Sequence, residues 1–186
     1  MANVRLTDKT ALEEQTGSGD LFMIVDVNDT TGSADGTSKK LDSKFVIQTD
    51  KFSLSNAEVK LLSHGSAPKT LVGALSGYMV TVFNVTVLVT YASATELSSN
   101  DLYFSYDSSS TSAYWRHARD FMNSKTTDIS FCFTSEAPSG GTCATSILNK
   151  PFVMYSSAAF TGGWSCDVYV TYAYTCLLYT SDAADE

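Results

Sequence analysis

Apolar and polar residues alternate along much of this chain, one on and one off. In YMVTVFNVTVLVTY, Phe83, Val85, Val87, Val89 and Tyr91 share one side, with Asn84, Thr86 and Thr90 on the other. DLYFSY groups Leu102, Phe104 and Tyr106, and DISFCF groups Ile129, Phe131 and Phe133. SCDVYVTYAYT sets Cys166, Val168, Val170, Tyr172 and Tyr174 against Ser165, Asp167, Thr171 and Thr175. Successive side chains of a strand point to opposite sides, so each run predicts a strand with one side in a core. Near Val80–Phe83 the apolar side changes over, which predicts a β-bulge. Turns rich in Ser, Gly and Asn separate the runs.

Two segments break the alternation. In AYWRHARDFMN, Trp115, Ala118, Phe121 and Met122 recur at helical spacing and predict a short helix across one end of the strands. In SLSNAEVKLL, Ser55 and Glu58 have capping-box spacing, so one or two helical turns or a strand both fit before Gly65 and Pro68. Nearer the N-terminus, LFMIVDV, a Gly/Asp/Ser-rich stretch and TSKKL read as strand, loop and return strand. The expected fold is mainly β: an antiparallel β-sandwich, jelly-roll-like, with a small N-terminal β-hairpin module and one short helix. The module takes residues 1–56 and the sandwich 57–175.

Residues 176–186, CLLYTSDAADE, look like the translation of a transposase sequencing adapter, codon for codon. Without Asp182, Asp185 and Glu186, the net charge of −8 becomes −8 + 3 = −5. Either value argues against nucleic acid as a partner, because phosphate binding needs concentrated Lys and Arg. The apolar runs are too short or too interrupted for a membrane span. Cys132, Cys143 and Cys166 form no CxxC pair, and reduced thiols of a cytoplasmically folded protein are expected.

The stretch DVNDTTGSADGTSKK, Asp26 to Lys40, invites a calcium or a phosphate reading. An EF-hand counted from Asp26 needs Gly at the sixth position and a carboxylate at the twelfth; Thr31 and Thr37 stand there. Gly32 and Gly36 lie too close for a Walker loop, and Lys39 follows Thr37 and Ser38 instead of preceding a hydroxyl residue. Turn chemistry accounts for the glycines and aspartates. His64 and His117 have no metal-ligand companion at strand or helical spacing, and no GxSxG elbow occurs. Neither catalysis, a metal nor a cofactor is expected. The sequons at Asn28 and Asn84 would matter only in a secreted eukaryotic protein.

Tyr103, Tyr106, Tyr114, Trp115, Trp164 and Tyr169 are the candidates for stacking on sugar rings or facing a neighbouring subunit. The competing reading is that most of them fill the sandwich core. Tyr103 and Tyr169 stand apart, since alternation puts them opposite the apolar sides of their strands.

DLFMIVDVNDTTGSADGTSKK resembles a segment near the N-termini of bacteriophage tail-fibre and related virion structural proteins. VKLLSHGSAPKTLVGALSG resembles the opening of β-rich domains in phage structural proteins, with Leu75-Ser76 where Pro-Gly is common. NKPFVMYSSAAFTGGWSCDVYVTYAY resembles their closing strands, with a Gly-Gly turn before the last. The resemblance implies a virion component, folded in a bacterial cytoplasm and assembled as a homo-oligomer, commonly a trimer, with other virion proteins as partners and a host surface glycan as a candidate ligand. A tail-fibre-like protein is expected first and a capsid decoration or head-fibre protein second. A bacterial carbohydrate-binding module is the alternative of another class, and an enzyme acting on host glycans comes last.

Overall fold

The computed structural model describes residues 21–26, 37–42, 45–63, 67–106, 114–135 and 147–176. The chain divides into two units, 1–46 and 47–186. In the first, β1 (Leu21–Asp26) pairs antiparallel with β2 (Thr37–Asp42), from Leu21 opposite Asp42 to Asp26 opposite Thr37. The expected hairpin is therefore present. The loop 27–36, where the sequence predicts turn chemistry, lies outside the described residues.

The second unit runs β3 (Gln48–Leu54), α1 (Asn56–Leu61), β4 (Lys69–Val72), β5 (Tyr78–Tyr91), β6 (Leu102–Ser105), β7 (Tyr114–Ala118), β8 (Ile129–Phe133), β9 (Phe152–Ser156) and β10 (Trp164–Cys176). β3 pairs with β10 along its whole length, from Gln48 opposite Tyr172 to Leu54 opposite Cys166. Residues 47–56 thus belong to the sandwich, and the N-terminal unit is shorter than the 1–56 that the sequence suggests. Cys176 is the last residue of β10, and 177–186 lie outside the described residues.

Two four-stranded sheets result, in the orders β3-β10-β5-β8 and β4-β9-β6-β7. The pairings β6–β7, β5–β8, β4–β9 and β3–β10 are nested one inside the next, all antiparallel. That is one long ribbon folded back on itself at β6–β7. Rolling the ribbon up brings β10 beside β5 and β9 beside β6, which closes the two sheets. This rolled ribbon is the jelly roll, an arrangement that manages exposed strand edges by doubling the sheet.

The inner faces are where the alternation put them. Val85, Val87 and Val89 of β5 and Val168 and Val170 of β10 are buried from one side, and Phe104, Phe152 and Met154 from the other. Phe104 and Phe133 meet between the sheets with ring centroids 5.4 Å apart. Each such side chain contributes about 1.5–3 kcal/mol when fully buried. The predicted bulge is at Phe83. Thr171 faces Asn84 and Tyr172 faces Val82, so Phe83 is the extra residue and turns outward, 46% exposed. The inward set is therefore Val80, Val82, Val85, Val87 and Val89, without the Phe83 that strict alternation includes.

The helix falls on the other ambiguous segment. Ser55 caps α1, its side chain accepting from the Glu58 N–H while Glu58 reaches back to the Ser55 N–H. AYWRHARDFMN is not helical. Tyr114–Ala118 form β7 against β6, and a bulge at Trp115 lets its ring enter the core beside Phe152. The chain then turns, with positive φ at Asp120 and Met122, and drops Phe121 and Met122 into the core. Helical spacing arose from a strand residue and two turn residues reaching one core, and cross-strand pairing overrode local propensity.

Candidate functional site: the open face of the β3-β10-β5-β8 sheet

The outer side of this sheet is mostly polar, its side chains arranged in cross-strand rows, with Leu88 an exposed apolar exception at 39%. One row runs Ser53, Asp167, Leu88 and Ser130; the next runs Lys51, Tyr169, Thr86 and Cys132. A third holds Thr49, Thr171 and Asn84. Directly opposed side chains on a sheet lie close enough to bond. Ser53 Oγ donates to Asp167 Oδ1 at 2.6 Å, Lys51 Nζ meets Asp167 Oδ2 at 2.9 Å, and Thr49 and Thr171 share a hydroxyl bond of 2.9 Å. Lys51 Nζ also stands 5.8 Å from the centroid of the Tyr169 ring. The Ser53 hydroxyl and then the Lys51 ammonium hold the Asp167 carboxyl below the usual range.

Next to these rows lies an open groove of about 420 Å³, lined by Ser53, Ser55, Glu58, Thr90, Ser165 and Asp167, with Leu54 and Cys166 beneath. Its hydroxyls and carboxylates suit hydrogen bonding to a polar partner. Its thiol is not reactive, because burial, and then the charges of Asp167 and Glu58, push Cys166 up to about 12.

The other sheet's outer side is closed. Tyr103, Val153 and Tyr155 form a second small buried cluster there, with Tyr155 fully buried and Tyr103 7% exposed. His117, Tyr103 and Tyr155 stack in a column, with centroid spacings of 4.5 and 5.2 Å. Asp101 ties down one end, its carboxylate 2.9 Å from His117 Nε2 and accepting from the Tyr103 hydroxyl at 3.3 Å and the Asp120 N–H at 3.0 Å. Burial works to raise the Asp101 carboxyl, and the bonds from His117 and Asp120 overcome it, so it sits below its ordinary value.

Of the six aromatics singled out from sequence, the five whose side chains are described are not brought together into one site. Tyr103 is in the covered column. Tyr106 is in the core, its hydroxyl donating to the Val80 carbonyl at 2.8 Å. Trp115 and Trp164 are core residues, 8% and 1% exposed. Tyr114 lies on β7, and its side chain is outside the described residues. Tyr169 alone among those described stands on the open face. The buried rings satisfy the sandwich instead of a ligand, because aromatics carry the largest apolar area and a two-sheet core of this size needs them.

Sequence reading missed one centre altogether, Glu96. Its side chain is 1% exposed, yet it carries a carboxylate. Oε2 accepts from the Gly162 N–H at 2.7 Å, the Thr161 N–H at 2.9 Å and Trp164 Nε1 at 3.3 Å. Oε1 accepts from the Thr161 hydroxyl at 2.8 Å, the Ser98 N–H at 3.1 Å and the Ser98 hydroxyl. Burial pushes this carboxyl up, but the Ser98, Gly162 and Thr161 bonds win and hold it at about 2. Only the glycines of TGGW hint at it in sequence. A Cβ on Gly162 would stand 3.0 Å from Oε2, and one on Gly163 would stand 2.6 Å from the Ala94 nitrogen.

Among the described residues, no group of three or more His, Cys, Asp or Glu side chains could hold a metal ion. Among them too, no helix is long and apolar enough to cross a membrane. No family model and no curated protein matches the chain. A solved picornavirus capsid chain, from an expanded equine rhinitis A virus particle, is similar at 13% identity and a TM-score of 0.30, over 100% of this chain and 91% of that one. At that TM-score the likeness carries no argument.

Proposed function

We propose that this chain is a bacteriophage virion structural protein, tail-fibre-like, that acts by assembly and surface contact and not by catalysis. The observation that carries the reading is the pairing of a jelly roll with one open, polar outer face whose side chains bond to each other. Such a face is ordered before any partner arrives, so little conformational freedom is lost when a protein or glycan docks on it. The likeness of Asp20–Lys40 to the N-terminal segment of phage fibre proteins supplies the particle context. In this reading the N-terminal hairpin unit attaches the chain to other virion proteins, copies of the chain form a homo-oligomer, and the face around Tyr169 meets a neighbour or a host surface glycan.

A second reading, a capsid decoration or head-fibre protein, is favoured by the strand order itself, since jelly rolls build viral capsid domains. Lectin domains use the same fold, which keeps the carbohydrate-binding module as the reading of another class. Gold-labelled antibody against this chain, applied to particles from a lysate that carries the gene, separates them in electron micrographs. Labelled tails are expected. Labelled heads favour the second reading, and unlabelled particles, whose purified mass spectrum lacks the chain's peptides, overturn both.

A further inference from the structure

The Glu96 centre joins loops that sequence separates widely. Ser98 follows β5, Thr161 and Gly162 precede β10, and the Glu96 carbonyl accepts from the Ser124 N–H between β7 and β8. On the Gly162–Trp164 side, the backbone around the carboxylate's donors is held by bonds that do not involve it. Gly163 N–H donates to the Ala94 carbonyl at 2.7 Å, and the Ala92 N–H donates back to the Gly163 carbonyl at 2.8 Å. Asn56 Nδ2 bonds the carbonyls of Gly162 at 2.9 Å and Trp164 at 2.8 Å, and Asn100 Nδ2 bonds that of Ala159 at 2.7 Å. Gly162 leaves the room the oxygen occupies. The loops therefore converge two hydroxyls, three backbone N–H groups and an indole N–H on one small space, with the Gly162–Trp164 side held by bonds made elsewhere.

We propose that this loop cluster is a preformed receptor for a small carboxylate, which the chain fills with its own Glu96. Truncation to alanine removes Cγ and the carboxylate, which together have the heavy atoms of acetate. A free acetate ion fills the emptied space and accepts the same donors. The chloride ion, a single sphere, lacks the two separated oxygens that match the Ser98 side and the Thr161–Gly162 side, and it has no methyl group to fill the space of Cγ. This centre owes nothing to the virion reading, and its test does not depend on that reading.

The experiment uses the full chain with Glu96→Ala and Glu96→Gln, melted in sodium acetate and in sodium chloride of equal ionic strength. E96A melts well below the parent in chloride, and roughly 100 mM acetate raises its midpoint by about 2–5 °C, as a weak ligand of the native state does. The parent and E96Q, whose space is full, show no acetate-specific shift. If E96A does not fold in chloride, its recovery on refolding in acetate reads the same site. Absence of an acetate effect on either melting or refolding of E96A overturns the proposal, as does an equal effect on E96Q.

Discussion

Tyr169 and Tyr103 hold equivalent places in the two sheets, each on the outward side of a strand whose other side feeds the core. Their surroundings are opposite. Tyr169 lies among Lys51, Thr86 and Thr171 on an open polar face and stays partly exposed. Tyr103 is sandwiched between His117 and Tyr155 and is almost wholly buried. A jelly roll has two outer faces, and in this one they do different work. One adds a second, smaller core; the other is left polar and available.

The difference is tested most strongly by truncating the rings. Tyr155→Ala removes a fully buried aromatic and lowers stability by about 3–5 kcal/mol, whereas Tyr169→Ala changes it by less than about 1 kcal/mol, both read by urea denaturation. Comparable losses at the two sites would erase the distinction.

A smaller effect separates the carboxylates of the two faces. Asp101→Asn weakens the bonds to His117 and Asp120 and costs about 1–3 kcal/mol at neutral pH, while Asp167→Asn, at an exposed ion pair, costs about 0–1 kcal/mol. Both carboxyls lie below their ordinary 3.8, so each contributes stability that is present above that pH and lost as pH falls below it. The acid limb of the stability curve therefore flattens in both D101N and D167N. Glu96 makes a contribution of the same kind from a buried position. Its shift from 4.5 to about 2 corresponds to about 3 kcal/mol, lost between those values on acidification. E96Q removes that limb. The smallest effect is a labelling contrast with no stability change. Iodoacetamide modifies exposed Cys132 in the folded protein and reaches buried Cys166 only after denaturation, as peptide mass spectra would record.

Much of the fold is legible in the residues. Period-two alternation marks β5, β6, β8 and β10, and the shift of the apolar side marks the bulge at Phe83. The capping box at Ser55–Glu58 leaves helix and strand both open, and the structure resolves it as α1. Trp115 misleads because a bulged strand residue and two residues of a positive-φ turn imitate helical spacing. The site was harder to read. Alternation tells inner from outer side, but not whether the outer side is covered, so Tyr103 and Tyr169 look alike in sequence. Glu96 gives no signal, since apart from Ser98 its carboxylate partners lie 65 to 68 residues away, brought near only by the folding of the ribbon.

Hydroxyl-radical footprinting of the folded protein, with oxidation read tyrosine by tyrosine, tests the division of the two faces most directly. Tyr169 is expected to oxidise quickly, and Tyr103 and Tyr155 only after unfolding. Rapid oxidation of Tyr103 in the native protein, or protection of Tyr169 in the isolated chain, would contradict the account of one covered and one open face.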